Sequence, residues 1–190
     1  MNVEPLNASN VFLIGFRCTG KTSVGQMLST RLGWGFIDTD SLLVSESGLS
    51  IKEIVGTHGW ETFRKMENAV VEQVCMLHRR VVATGGGVVI NDANVRLMKS
   101  NGRLVWLKAT PKTIKTRMMQ DQDTEVFRPS LTAKDSFFEI EETLTERNPI
   151  YNAAMDFDVE TDSRRIDEIC DTILRQLRVL DSESFKAHGS

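Results

Sequence analysis

Gly15, Gly20, Lys21 and Thr22 lie within "GFRCTGKT" at 15–22 and fit the phosphate-loop pattern G-x-x-x-x-G-K-[ST]. The pattern has a mechanical reading. A strand ends at Gly15, the chain turns back, and a helix begins around Lys21. Backbone N–H groups at that helix start then point at phosphates, helped by the helix dipole. Lys21 is expected to reach the β- and γ-phosphates of ATP, and the Thr22 hydroxyl to ligate Mg²⁺. Cys18, Thr19 and Ser23 lie in or beside the loop and join the expected nucleotide-binding set. The wrapping geometry constrains Gly15 and Gly20, whereas Cys18 takes a variable position that tolerates an outward side chain. Next to a helix N-terminus and Lys21, it is expected to be the most reactive of the three thiols.

"FIDTD" adds two carboxylates, Asp38 and Asp40, at the end of a strand. Residues i and i+2 of an extended segment point the same way, so both can face one site where open α/β sheets bind ligands. The competing reading makes Asp40 the N-cap of a helix over "SLLVSESG". Gly85, Gly86 and Gly87 follow another strand. Consecutive glycines serve a close approach of backbone to ligand, or simply a tight turn. Arg64 has Glu61 and Glu67 three residues to either side, which is either a surface ion-pair ladder or part of a site. Arg128 and Arg147 are further candidates, because a guanidinium recognises carboxylate and phosphate with two parallel bonds.

These residues need a scaffold that gathers them. Three continuous apolar runs, "VFLIG" at 11–15, "VVATG" at 81–85 and "LVWLKA" at 104–109, read as strands buried on both faces. Shorter candidates are "GFID" at 35–38 and "FDVET" at 157–161. Between them, 60–77 places Phe63, Met66, Val70, Val74 and Leu77 on one helical face. Ile166, Ile169, Ile173, Leu174 and Leu177 repeat that pattern near the C-terminus. Five strands alternating with helices predict a doubly wound α/β fold. One domain is expected over 10–180, with polar tails at 1–9 and 181–190. The stretch 120–133 has neither period nor strand character and reads as a mobile lid.

With a formal charge of −3, the 190-residue chain lacks the basic balance of an obligate nucleic-acid binder. Three widely separated cysteines without a CxxC pair speak against a disulfide framework or zinc site and for the reducing cytoplasm. No signal segment and no membrane-spanning apolar run is visible. A monomer is expected.

In sum of motifs the chain resembles the shikimate kinases. "GFRCTGKT", "FIDTD", "FRKME", "ATGGG", "FRPSL" and "ERNPIY" occur in that family's order, and the match runs from about residue 10 to residue 180. The resemblance implies a P-loop kinase of the nucleoside-monophosphate-kinase type, with a five-stranded parallel sheet of order 2-3-1-4-5 flanked by helices. It implies transfer of the ATP γ-phosphoryl group to the 3-hydroxyl of shikimate, within chorismate and aromatic amino-acid biosynthesis. By position, Asp38 would stand in the outer shell of Mg²⁺ and Asp40 would bind the reacting hydroxyl as candidate base. Arg64 and Arg147 would grip the shikimate carboxylate, with Glu67 orienting Arg64. Gly86 and Gly87 would offer backbone N–H groups to the substrate. Arg128 would be the lid arginine that closes on the phosphates, and Arg164, or its neighbour Arg165, would lie at the adenine. Many family members carry glycine where this chain has Cys18 and leucine where it has Ser130. The rival readings are a gluconate kinase, from which the arginine pair is expected to separate it, and a non-catalytic sensor. Intact Lys21, Thr22, Asp38, Asp40 and Arg128 oppose the second.

Overall fold

A computed structural model describes residues 9–120 and 137–187. Its five parallel strands are β1 (Asn10–Ile14), β2 (Gly35–Asp38), β3 (Arg80–Ala83), β4 (Arg103–Lys108) and β5 (Phe157–Glu160). They lie side by side in the order β2-β3-β1-β4-β5. Leu13 of β1 stands level with Ala83 of β3 on one side and Val105 of β4 on the other. From β1 the chain passes to one edge of the sheet first and to the other later. The carboxyl end of β1 is therefore the switch point at which such sheets bind ligands.

Alternation explains the continuous apolar runs. Phe12, Ile14, Val82, Leu104 and Trp106 point into one core, and Val11, Leu13, Val81, Val105 and Leu107 into the other. Both faces are covered, so neither set can be polar. The first core is closed by α3 (Ile51–Cys75), α4 (Asp92–Asn101) and α6 (Phe137–Ala154), through Val70, Val74, Met98 and Tyr151. The second is closed by α1 (Lys21–Leu32) and α7 (Ile166–Ala187), through Val24, Leu28, Ile169, Ile173 and Leu177. Two further helices, α2 (Thr39–Ser47) and α5 (Pro111–Gln120), flank the ligand end.

Helix α3 bends at Gly59, whose φ of 78° and ψ of 168° interrupt the helix. The second limb starts at Trp60, as the apolar period predicts. It stops at Cys75, however, and Leu77, expected on its buried face, lies beyond the end and is 37 % exposed. The Leu77 amide bonds to the Val74 carbonyl at 3.2 Å, a tightened last turn that swings Leu77 off the face. Ile166 is also exposed, because it opens α7 before the helix has reached the sheet. β2 matches its candidate, and the other four strands run one or two residues shorter at their carboxyl ends than the candidate runs. Gly15, Gly85, Ala109 and Thr161 already belong to the loops that form the site.

Candidate active site

The phosphate loop connects β1 to α1. Gly15 has φ 136° and Gly20, the N-cap of α1, has φ 95°, both in territory that favours glycine. The Lys21 ammonium is buried in the loop, where it donates to the carbonyls of Gly15 at 2.8 Å and Phe16 at 2.7 Å. The Thr19 hydroxyl donates to the Phe16 carbonyl at 2.8 Å and stiffens the same turn. Ser23 follows within the first turn of α1.

Cys18 corrects one expectation. Its φ of 59° is left-handed, so the position is constrained by backbone geometry and not merely tolerant. Glycine adopts that conformation without strain. The half-buried Cys18 holds its carbonyl against Arg117 Nη1 at 3.1 Å, and Arg117 also reaches the Thr161 carbonyl at 2.8 Å. Arg117 thus ties the phosphate loop to the end of β5. The other thiols, Cys75 and Cys170, are buried, and burial pushes each up to about 11.

Asp38 and Asp40 reach the site by a different route from the extended i, i+2 arrangement. β2 ends at Asp38, which is itself the N-cap of α2. Asp38 Oδ1 accepts from the amides of Asp40 and Ser41, both at 3.1 Å. Asp38 Oδ2 accepts from the Thr22 hydroxyl at 2.8 Å. Asp40 is therefore not the cap. It sits in the first helical turn and faces a second compartment, the acceptor cavity.

That cavity is lined by Phe16, Ile51, Trp60 and Phe63 together with the charged groups of Asp40, Arg64, Glu67 and Arg147, an apolar wall with a few convergent polar groups, as small-molecule sites have. Arg64 enters it from α3, with Nη1 held 2.7 Å from Glu67 Oε2. Its guanidinium lies 5.5 Å from the Trp60 ring and 5.2 Å from Phe63, so one rotamer is fixed by an ion pair and two aromatic faces. Glu67 is 3 % exposed, and burial raises its pKa. Arg64 and Arg147 hold back part of that rise, while Asp40 adds to it. Glu67 Oε1 is buried without a hydrogen-bond partner among the described residues, consistent with the raised pKa. Arg147 enters from α6 and donates to the Gly86 carbonyl at 3.4 Å. The Tyr151 hydroxyl, one turn further along α6, donates to the same carbonyl. Tyr151 is fully buried, stacks on Trp106 at 5.5 Å, and its phenol is pushed up to about 12 by burial.

The glycine triplet is more than a tight turn. A Cβ on Gly85 would stand 2.8 Å from Asp40 Oδ1 and 2.9 Å from Glu67 Oε1. One on Gly87 would stand 2.6 Å from Arg64 Nη1, and one on Gly86 would stand 3.3 Å from the Arg17 amide. Each glycine leaves room for a different part of the site.

The residues singled out from sequence thus gather in two adjoining compartments. One holds Gly15, Cys18, Thr19, Gly20, Lys21, Thr22, Ser23 and Asp38, and the other holds Asp40, Arg64, Glu67, Gly86, Gly87 and Arg147. Arg128 and the lid expected at 120–133, beyond Gln120, lie outside the described residues. Arg164 braces α7, donating to the Thr172 hydroxyl at 2.8 Å, while Arg165 pairs with Asp167 at 2.9 Å. Sequence reasoning missed Arg17, Trp60, Arg117 and Tyr151. Tyr151 had a usable signal, since it follows Arg147 at i+4 and so shares its helical face.

Comparison with known proteins adds three findings. A family model described as shikimate kinase matches residues 17–178. The shikimate kinase of Caldanaerobacter subterraneus subsp. tengcongensis is 40 % identical over 166 residues, covering 87 % of this chain and 94 % of its own. Among solved structures, a shikimate kinase from Acinetobacter baumannii in complex with shikimate superposes with a TM-score of 0.84 at 26 % identity, covering 91 % of this chain and 94 % of that one. A gluconokinase from Sinorhizobium meliloti 1021 reaches a TM-score of 0.64 at 18 % identity over 94 % of this chain and 97 % of its own, a likeness of fold alone.

Proposed function

The chain belongs to the shikimate kinase family, and from that premise we propose how its residues transfer the ATP γ-phosphoryl group to the shikimate 3-hydroxyl. The products are shikimate 3-phosphate and ADP. The arginine pair carries the reading. Arg64 and Arg147 come from different helices to one cavity, and each is fixed by a second group, the Glu67 carboxylate and the Gly86 carbonyl. Two fixed guanidiniums suit the single carboxylate of shikimate. Gluconate also carries a carboxylate, so the pair accounts for carboxylate recognition and family membership selects shikimate.

Asp40 is the group that accepts the hydroxyl proton, since it stands in the same cavity at the end nearest β2. Lys21 and the amides at the start of α1 bind the phosphates. Gly86 and Gly87 present backbone to the substrate ring, and Arg128 closes over the phosphates. Arg164 belongs to the adenine end. Thr22 and Asp38 offer a hydroxyl and a carboxylate 2.8 Å apart, hard oxygen donors of the kind Mg²⁺ takes alongside phosphate oxygens and water. When bound, Mg²⁺ supplies charge neutralisation across the β- and γ-phosphates. Residues 10–180 act as one catalytic domain in this reading. A monomer in the cytoplasm belongs to the same reading, and the free cysteines suit that reducing setting.

ADP release followed with and without shikimate tests the reading. Release that depends on shikimate and not on gluconate is expected. ADP release indifferent to shikimate would overturn it.

A further inference from the structure

Arg64 and Arg147 are held by partners of unequal stiffness. Arg64 is braced by the Glu67 carboxylate, 2.7 Å away on the same helix, and by two aromatic rings. Arg147 leans on the Gly86 carbonyl at 3.4 Å. That carbonyl belongs to the middle of three consecutive glycines, where the backbone has its widest freedom. The hydrogen bonds around it secure its neighbours. The Gly85 amide donates to the Thr39 hydroxyl at 3.1 Å. The Val88 and Ile90 amides donate to the carbonyls of Gly85 and Gly87 at 3.2 and 3.0 Å.

Tyr151 secures the Gly86 carbonyl itself. Its hydroxyl donates to that oxygen from α6, one helical turn after Arg147. A carbonyl oxygen has two lone pairs, so phenol and guanidinium can share it. The phenol ring is fully buried, lies 5.5 Å from Trp106 at an interplanar angle of 24°, and stands outside the residues that line the cavity. Core packing between α6 and β4 therefore places the hydroxyl, whatever the cavity holds. Burial pushes its pKa up to about 12, so it keeps its proton and remains a donor at ordinary pH.

Resting on the shikimate kinase reading, we propose that Tyr151 is a positioning residue for the acceptor: it fixes the Gly86 carbonyl, which in turn fixes the Arg147 guanidinium for the substrate carboxylate. Tyr151 does for Arg147 what Glu67 does for Arg64, at one remove, through the main chain of a glycine. Without the hydroxyl the ring still packs, but the glycine peptide is free to turn and Arg147 loses its orientation.

The test is a double-mutant cycle over wild type, Tyr151→Phe, Arg147→Ala and the pair, because Tyr151→Phe keeps the ring and removes only the hydroxyl. Calorimetry reads shikimate and, separately, ATP. Tyr151→Phe is expected to weaken shikimate binding about three- to tenfold, the scale of one neutral hydrogen bond. ATP affinity without shikimate should stay within about twofold. KM for shikimate should rise with its dissociation constant. In the Arg147→Ala background the same change should cost less than about twofold, since the residue it acts through is gone. A role confined to stability would lower Tm and leave the ratio of shikimate to ATP affinity as in wild type, and that result overturns the proposal. A loss of equal size in both backgrounds also overturns it. If Tyr151→Phe does not fold, the native chain decides. Tyr151 is its one tyrosine, so a 3-fluorotyrosine label gives one ¹⁹F signal. That signal should shift with saturating shikimate, and should not shift in saturated Arg147→Ala. A signal that stays still in the wild type, or that shifts in both, overturns the role. A wild type without shikimate-dependent ADP release overturns the substrate reading and the Tyr151 role together. An active wild type matched in shikimate affinity by Tyr151→Phe overturns the Tyr151 role alone.

Discussion

The two compartments of the site are built on opposite principles. The phosphate side is made from one contiguous segment, 15–22, and its work falls largely to main chain: glycines at positive φ, a helix start, and carbonyls that hold Lys21. The acceptor side is made from side chains on α2, α3 and α6 around the turn after β3. Backbone architecture tolerates changes of side chain and fails when a conformation is denied. A side-chain clamp holds its fold and loses one ligand at a time. Substitutions on the two sides should therefore fail differently.

The largest effect is expected at Asp40. Asp40→Asn should melt cooperatively and bind ATP as wild type does, yet lose at least about 100-fold in kcat. Wild-type turnover would remove Asp40 from the proton's path.

Arg147→Ala comes next and tests the separation of compartments directly. Loss of one charge-assisted partner should weaken shikimate binding about tenfold or more. Calorimetry should find ATP affinity without shikimate unchanged. Equal weakening of both ligands would mean that the compartments are one unit.

Glu67 sharpens the comparison through pH. Burial raises its pKa above 4.5, so on acidification it takes up a proton earlier than an ordinary glutamate and releases its hold on Arg64. KM for shikimate should therefore rise as pH falls, starting above the ordinary carboxylate range, while KM for ATP stays flat over that interval. Glu67→Gln should abolish the rise and show the high KM at every pH. A flat wild-type profile would detach Glu67 from substrate binding. The raised pKa has a second consequence: the ionised form is the one disfavoured by folding, so Glu67's contribution to stability declines as pH climbs through its folded pKa.

The smallest effect belongs to the phosphate side. Cys18→Gly relieves left-handed strain of about 1–2 kcal/mol and adds unfolded-state entropy worth about 0.5–1 kcal/mol. A net gain of about 0.5–1 kcal/mol should raise Tm by about 1–4 °C, with activity retained. A lower Tm would show that the thiol makes a contact worth more than the strain.

The same contrast decides what could be read from the chain. The phosphate loop was legible because its function needs particular residues at fixed spacing within eight positions, and the strands because both their faces are buried. Asp38 and Asp40 were found, but not their directions. Whether β2 continues through Asp40 or stops at Asp38 depends on a capping interaction that competes with extension by little energy. The close approaches around Gly85–Gly87 were hidden for another reason. They involve Asp40, Arg64 and Glu67, residues far away in the chain, and no local pattern records which glycine faces which side chain. Arg17 was passed over inside a motif already quoted, because the pattern defines its position only as variable.

Trp60 gives the acceptor compartment an optical signature. Of the three tryptophans, Trp106 is buried in the core beneath Tyr151, and Trp34 is partly covered at the opposite face of the sheet. Trp60 is 43 % exposed, stands at the cavity wall, and carries the Arg64 guanidinium over its ring. Its emission should be the reddest of the three, and the most sensitive to an iodide quencher. An anion that draws Arg64 toward itself alters the charge above the indole, and a ligand in the cavity shields the ring. Acceptor binding can thus be titrated by native fluorescence, without nucleotide, coupling enzyme or label, while Trp106 supplies an internal reference for the integrity of the core.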